Sequence, residues 1–354
     1  MTQPAAIQEA PSVAETRRLM TEKLGSVVPE FEIAEKAELV YQINRLKRDM
    51  NAVILAHNYM EPALFHSIPD HVGDSLGLSR ISARTDADII VFCGVRFMAE
   101  TAKVLNPDKT VLCPAEKAGC SLSDGITAED VRKLKEAYPG AAVVTYVNSG
   151  ADVKAESDYC CTSGNAAAVV KHLLAQGHEH FLFLPDEFLA RNTAAELGIA
   201  YVCGAEAAQP VKGEPTIIGW RARCEVHELF SVEDVERVRK QFPDVVILAH
   251  PECSPQVIAR CDIAGSTSAM VSYVRDVEAP RYLLLTECCM ADNLAAEFPE
   301  REMLRLCSLR CRHMNMITLA DTLASLQKVQ YKIELPEDII ERARIPIDRM
   351  LSIT

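Results

Sequence analysis

Apolar runs recur along this chain, and each ends abruptly in polar residues. Ala52–Ala56 runs into His57, Val143–Val147 into Asn148, and Val245–Ala249 into His250. The tetrapeptide Ile-Leu-Ala-His occurs twice, at 54–57 and at 247–250. Runs of this length with polar boundaries read as parallel strands buried on both faces. Further runs at 88–92, 110–112, 180–184, 216–219 and 281–285 read the same way. Helical spacing fills the intervals at 35–50, 73–84, 98–105, 165–174 and 290–297, and again at 318–328 and 336–352. Thr127-Ala-Glu-Asp130 and Ser231-Val-Glu-Asp234 are capping-box signatures that open two more helices, reaching 137 and 242. The segment 204–215, rich in Gly, Pro and Ala, reads as loop, and residues 1–35 as an extended or partly helical arm.

Strands alternating with helices predict an α/β fold built from parallel layers. The order has a period. Each unit runs helix, strand ending in a polar group, more α/β structure, then a cysteine in a polar loop: His57 precedes Cys120, Tyr146 precedes Cys224, and His250 precedes Cys311. We expect three pseudo-threefold-related αβα domains over 36–122, 123–225 and 226–311. The arm 1–35 precedes them, and the C-terminal helices in 312–354 return to complete the first. Ligands of open α/β sheets sit just beyond the carboxyl ends of the strands, so three such ends predict one shared site. Chance is the rival account of the tetrapeptide, since Val, Ile, Leu and Ala are the common strand residues.

Composition narrows the function. The chain has 354 residues, enough for two or three domains, with 49% hydrophobic and 25% charged residues, as in soluble globular proteins. A formal net charge of -13 argues against nucleic acid or an anionic membrane as the main partner. It leaves room for a small anionic substrate in a locally positive site. No apolar stretch is long enough to span a bilayer, and Met1–Gly25 has no apolar signal core, so a cytoplasmic protein is expected. Thirteen cysteines, an odd number with no Cys-x-x-Cys, speak against a disulfide framework or a zinc ribbon. Cys93 and Cys113 lie on apolar runs and read as small buried hydrophobes. Cys120, Cys224 and Cys311 lie in polar or basic contexts, which favour the thiolate and hence metal binding.

Three thiolates, one from each domain, suit zinc with an open position or a cubane iron–sulfur cluster with one iron free of protein ligands. An open iron is a Lewis acid. The strand-end set His57, Tyr59, Tyr146, Asn148, His250 and Glu252 can supply an acid–base pair for enolisation next to a carbonyl. Each histidine also has a bland reading as a satisfied buried residue, and Pro251-Glu252 reads equally well as the start of a helix. Gly73-Asp74-Ser75, Thr162-Ser163-Gly164 and Gly265-Ser266-Thr267-Ser268 fall at loop-to-helix junctions. There hydroxyls and free N–H groups either hold carboxylates and phosphates or cap helices.

Taken in order, these segments resemble the quinolinate synthase A family from about residue 38 onward. The motifs are Ala-His-Asn-Tyr (56–59), Val-Gly-Asp-Ser-Leu (72–76), Phe-Met-Ala-Glu-Thr-Ala-Lys (97–103) and Ala-Gly-Cys-Ser (118–121), followed by Tyr-Val-Asn-Ser (146–149) and Cys-Thr-Ser-Gly-Asn-Ala (161–166). Cys-Glu-Val-His (224–227), Ala-His-Pro-Glu-Cys (249–253), Gly-Ser-Thr-Ser (265–268) and Arg-Met-Leu (349–351) complete the match. The resemblance implies three αβα domains around a central [4Fe–4S] cluster held by Cys120, Cys224 and Cys311. It implies a transferase of NAD biosynthesis that condenses iminoaspartate with dihydroxyacetone phosphate and releases phosphate and two waters. It also implies coupling to L-aspartate oxidase and a monomer or homodimer. His57, Ser75, Tyr146, Asn148, Ser163, His250, Glu252 and Thr267 match positions that bind iminoaspartate, with Val147, Ser266 and His227 beside them. Tyr59 and Glu252 match acid–base positions, and His57, His250 and Tyr146 go with them as catalytic candidates.

Some segments depart from the family pattern. Cys288-Cys289 follows Thr286-Glu287 where glycine is more usual, and Met314-Asn315-Met316-Ile317-Thr318 replaces Met-Lys-Met-Asn-Thr. His57 to Ser75 is one residue longer than in the shorter members, and Cys307 competes with Cys311 for the third ligand position. An aconitase-type hydro-lyase would share the thiols and lack a triose phosphate site. A non-enzymatic iron–sulfur sensor would not need the strand-end set.

Overall fold

The computed structural model describes residues 5–206, 209–210, 213–306 and 309–353. It contains three parallel sheets. The first has the order β2-β1-β3-β4, from β1 (Ala52–His57), β2 (His71–Gly73), β3 (Ile89–Cys93) and β4 (Thr110–Leu112). The second has the order β6-β5-β7-β9-β8, from β5 (Ala142–Tyr146), β6 (Tyr159–Cys161), β7 (His180–Leu184), β8 (Ala200–Cys203) and β9 (Thr216–Gly219). The third has the order β11-β10-β12-β13, from β10 (Val245–Ala249), β11 (Ile263–Ala264), β12 (Arg281–Leu285) and β13 (Glu302–Leu304). Helices flank each sheet, giving the three αβα domains that the alternation predicts.

In each sheet the chain departs from the first strand to one side and returns on the other. β1, β5 and β10 therefore stand at the topological switch, where a crevice opens beyond the carboxyl ends. Their apolar runs are buried almost throughout, as strands covered by helices on both faces must be. The two Ile-Leu-Ala-His segments fall on equivalent strand ends, so the repeat is structural rather than chance.

A second repeat fixes the register. Asp70, Asp158 and Asp262 each accept a hydrogen bond through Oδ2 from the first strand, from the N–H of Ile54, Val143 and Ile247, at 2.8 Å in every case. Each returns its own N–H to the carbonyl of the same strand residue, at 2.8, 3.0 and 2.9 Å. This reciprocal pair starts each edge strand, β2, β6 and β11, in the same place.

Both capping boxes form, at Thr127–Asp130 and Ser231–Asp234, and open the helices that precede β5 and β10. The arm is more helical than expected: Val13–Leu24 is a helix, and the helix before β1 begins at Glu30 rather than near 35. Pro29 precedes its first turn, and Glu30 and Glu32 complement the positive end of the helix dipole. The C-terminal helix Leu319–Lys328 packs on the helix Glu30–Asp49 and on β3. The last helix, Glu337–Ser352, lies against Ala151–Ala155 and β6 of the second domain and against Arg96–Leu105 of the first. Among the described residues no helix is long and apolar enough to cross a membrane.

Candidate active site

The three switch points face one cavity. It is lined by His57, Tyr59, Ser75, Tyr146, Asn148, Ser163, His227, His250, Glu252 and Thr267, together with Cys120, Cys224 and Cys311. Thirteen of the fifteen residues singled out from the sequence thus meet in one place. Val147 and Ser266 stand behind the wall. Val147 donates its N–H to the Cys161 carbonyl at 2.9 Å, and the Ser266 hydroxyl caps the helix Thr267–Asp276 by accepting the Ala269 N–H. Ser75 and Thr267 are the first residues of their helices, and Ser163 precedes the helix Ala166–Ala175. Three helix starts therefore bring positive dipole ends and hydroxyls to the cavity.

The two strand-end histidines are held alike. His57 Nδ1 faces the Tyr59 N–H at 3.3 Å, and His250 Nδ1 faces the Glu252 N–H at 3.4 Å. Accepting at Nδ1 leaves Nε2 as the N–H donor. In His250 that nitrogen lies 3.1 Å from Ser163 Oγ. Burial lowers His57 to about 4 and His250 to about 3, so both rings are neutral near pH 7.

Glu252 is the electrostatic centre. It is 3% exposed, and it does not open a helix; the next helix, Pro255–Ile258, is capped by Ser254. Its carboxylate accepts from Tyr146 Oη at 2.6 Å, from Asn148 Nδ2 at 3.4 Å and from His227 Nδ1 at 2.7 Å. Burial alone would lift its pKa. Its histidine neighbours His250 and His227, with the hydrogen bonds from His227 and Tyr146, hold it well below the usual carboxylate range. With His250 neutral, the donated hydrogen bonds carry that effect. Tyr59 and Tyr146 move the other way: burial first, then the charge of Glu252, raises both far above 10 and keeps both protonated.

Thr286, at the end of β12, joins these groups. Its hydroxyl lies 2.9 Å from His227 Nε2 and makes a short contact with Tyr59 Oη. With His227 Nδ1 donating to Glu252, the hydroxyl donates to Nε2 and accepts from Tyr59. A continuous path runs from the Tyr59 hydroxyl through Thr286 and His227 to Glu252.

The thiols differ from expectation. Polar and basic surroundings pointed to thiolates, yet burial pushes Cys120 up to about 12, Cys311 to about 11 and Cys224 well above 9. A metal must displace their protons to bind. Around a single zinc, thiolate sulfurs 2.3 Å from the ion would lie roughly 3.8 Å from one another. Among the described residues the one His/Cys/Asp/Glu group whose ligand atoms all fall within 4.8 Å is Cys224, His227 and Glu252, which leaves out Cys120 and Cys311. The three thiol sulfurs therefore do not all lie within 4.8 Å of one another. Cys307 lies outside the described residues.

Among the described residues no Lys or Arg lines the cavity. Sequence reasoning did not assign Thr286, Asp74 or Glu287 to it. Glu287 is 1% exposed, accepts the Cys289 N–H at 2.7 Å, and is lifted to about 7 by burial. The available signal was the run 281–285, a strand whose polar ending Thr286-Glu287 repeats the pattern of His57 and His250.

The family model described as Quinolinate synthetase A protein matches residues 41–352. Quinolinate synthase 2 of Mesorhizobium japonicum is 48% identical over 332 residues, covering 94% of this chain and 96% of that one. The quinolinate synthase of Sinorhizobium medicae is 47% identical over 343 residues, 97% of this chain and 90% of the relative. That of Xylella fastidiosa is 50% identical over 311 residues, 88% and 86% of the two chains. With three parallel-sheet domains that bring histidines, a buried carboxylate and three thiols to one cavity, and with this likeness over nearly its whole length, the chain belongs to the quinolinate synthetase A family.

Proposed function

We propose that this chain is a quinolinate synthase of NAD biosynthesis. It condenses iminoaspartate, the unstable product of an L-aspartate oxidase, with dihydroxyacetone phosphate, and it releases phosphate and two waters. The observation that carries the reading is the buried Glu252, held by three donors and wired to Tyr59 in a cavity shared with three thiols. Cys120, Cys224 and Cys311 would hold a [4Fe–4S] cluster; the chemistry such a cluster supplies is Lewis acidity at the iron that has no protein ligand.

The side chains divide the remaining work. The Nε2–H groups of His57 and His250, with the hydroxyls of Ser75, Ser163 and Thr267, hold the two carboxylates of iminoaspartate without a formal cation. Glu252, ionised near pH 7, takes a proton next to the carbonyl or imine carbon. Tyr59, protonated, gives one to a leaving hydroxyl. Thr286 and His227 link the two groups without bulk water, each hydrogen bond being donated in the direction from Tyr59 to Glu252. Protein loaded with iron and sulfide under anaerobic conditions should form quinolinate from the two substrates. A full cluster with no quinolinate would refute the reading.

A further inference from the structure

At each strand end a second reactive side chain follows the first by two residues. His57, Tyr146 and His250 are equivalent, so Tyr59, Asn148 and Glu252 are equivalent too. The carbonyls on either side of these three residues receive the same treatment. Asn293 Nδ2 donates to Asn58 O at 3.1 Å and to Met60 O at 2.9 Å, flanking Tyr59. Asn192 Nδ2 donates to Pro251 O at 2.8 Å and to Cys253 O at 2.9 Å, flanking Glu252. Lys154 Nζ donates to Val147 O at 2.9 Å and, in a short contact, to Ser149 O, flanking Asn148. Asn293 and Lys154 are buried, and Asn192 is half-buried. Both acceptors of each asparagine are carbonyls, so each amide must present its nitrogen.

The donors do not all belong to the domain they grip. Asn192 lies on the helix Glu187–Leu197 after β7 and reaches from the second domain to the third. Asn293 lies on the helix Cys289–Glu297 after β12 and reaches from the third domain to the first. On the matching helix after β3, Glu100 Oε2 accepts the Ala151 N–H at 3.0 Å and ties the first domain to the second. We propose that Asn192 and Asn293 are positioning residues, which set Glu252 and Tyr59 from the neighbouring domain and make the acid–base geometry conditional on domain docking. The functional part of this inference rests on the acid–base roles proposed above; the clamp itself does not.

The test uses cluster-loaded protein with Asn192→Ala and Asn293→Ala, and Asn293→Ser as a milder change at the buried site. Two measurements are made. Amide hydrogen exchange reads the clamp directly: the Met60 N–H, bonded to His57 O, should exchange at least about tenfold faster only in the Asn293 variants, and the Cys253 N–H, bonded to His250 O, only in Asn192→Ala. Turnover reads the consequence: a misplacement near 1 Å lowers kcat by about 100-fold, with KM changed less than about threefold and iron content unchanged. Exchange that rises everywhere, or at neither amide, overturns the clamp. Local exchange with wild-type kcat per iron-loaded molecule overturns the positioning role. If the wild type makes no quinolinate, the proposed function fails, and the exchange pattern still decides the clamp.

Discussion

The neutral histidines of the cavity should make the protein acid-sensitive in a defined window. His57 and His250 are held at about 4 and about 3 by burial, against an unfolded value near 6.5. Protons therefore bind the unfolded chain first as pH falls, and each histidine costs stability below 6.5 until pH reaches its folded value. Between pH 8 and pH 5 that is about 2 kcal/mol for each ring, or about 4 kcal/mol for the pair, a large share of a typical folding free energy. Glu252 works in the same direction but only below the unfolded carboxylate range, while Glu287, lifted to about 7 by burial, works in the opposite direction between pH 8 and pH 5, so the difference between wild type and a histidine variant, not the wild-type slope, isolates the histidines. His66, lowered to about 4 chiefly by burial, leaves a residual slope after both cavity rings are gone. The assay is urea unfolding of the metal-free chain at pH 8 and pH 5, for wild type and for His57→Gln/His250→Gln. The double variant should lose about 4 kcal/mol less on acidification. Equal losses in the two proteins would refute the account of buried neutral rings.

Three further outcomes are expected. Cys120→Ser, Cys224→Ser and Cys311→Ser should each lose iron, sulfide and the charge-transfer absorption while Cys288→Ser and Cys289→Ser keep them; a full cluster in any of the first three would remove that ligand from the set. Glu252→Gln should lower kcat by about 10²–10⁴ with the cluster intact, and Thr286→Val, which cuts the path from Tyr59 to His227, should fall by a smaller factor; an unchanged rate in Thr286→Val would dismiss the path. Asp158→Ala removes the bond from the Val143 N–H and should cost about 1–3 kcal/mol in urea unfolding, as should Asp262→Ala, while Asp70→Ala should cost more because it also leaves the buried Lys47 ammonium without its carboxylate.

The central strands were legible because burial on both faces writes them as unbroken apolar runs, and the capped helices because Thr127 and Ser231 announce themselves. The edge strands β2, β6, β11 and β13 have two or three residues each, too few for any period to show. The helix Glu187–Leu197 escaped because its buried and exposed residues share an Ala-rich, weakly patterned stretch, and its start depends on Asp186 capping Leu189 at 2.8 Å. Strand-end chemistry was readable at His57, Tyr146 and His250, where a polar residue interrupts an apolar run. Thr286 was not, because a threonine ending a strand is unremarkable until the fold sets it between Tyr59 and His227. At Cys120, Cys224 and Cys311 the local sequence context pointed to thiolates, whereas desolvation in the folded chain, set by distant residues, favours the thiols.

The three reciprocal aspartate pairs also bear on how the site comes into being. Each joins residues only 15 or 16 apart, Ile54 with Asp70, Val143 with Asp158 and Ile247 with Asp262. The segments 57–59, 146–148 and 250–252 lie within these short loops. Closing a loop of this size demands little chain entropy and needs no contact from distant sequence. Each reactive segment is thus confined by local contacts, while the contacts that aim two of them, from Asn192 and Asn293, span about 60 and about 235 residues. Confinement and aiming thus rest on contacts of different range, and a variant can lose the second while keeping the first.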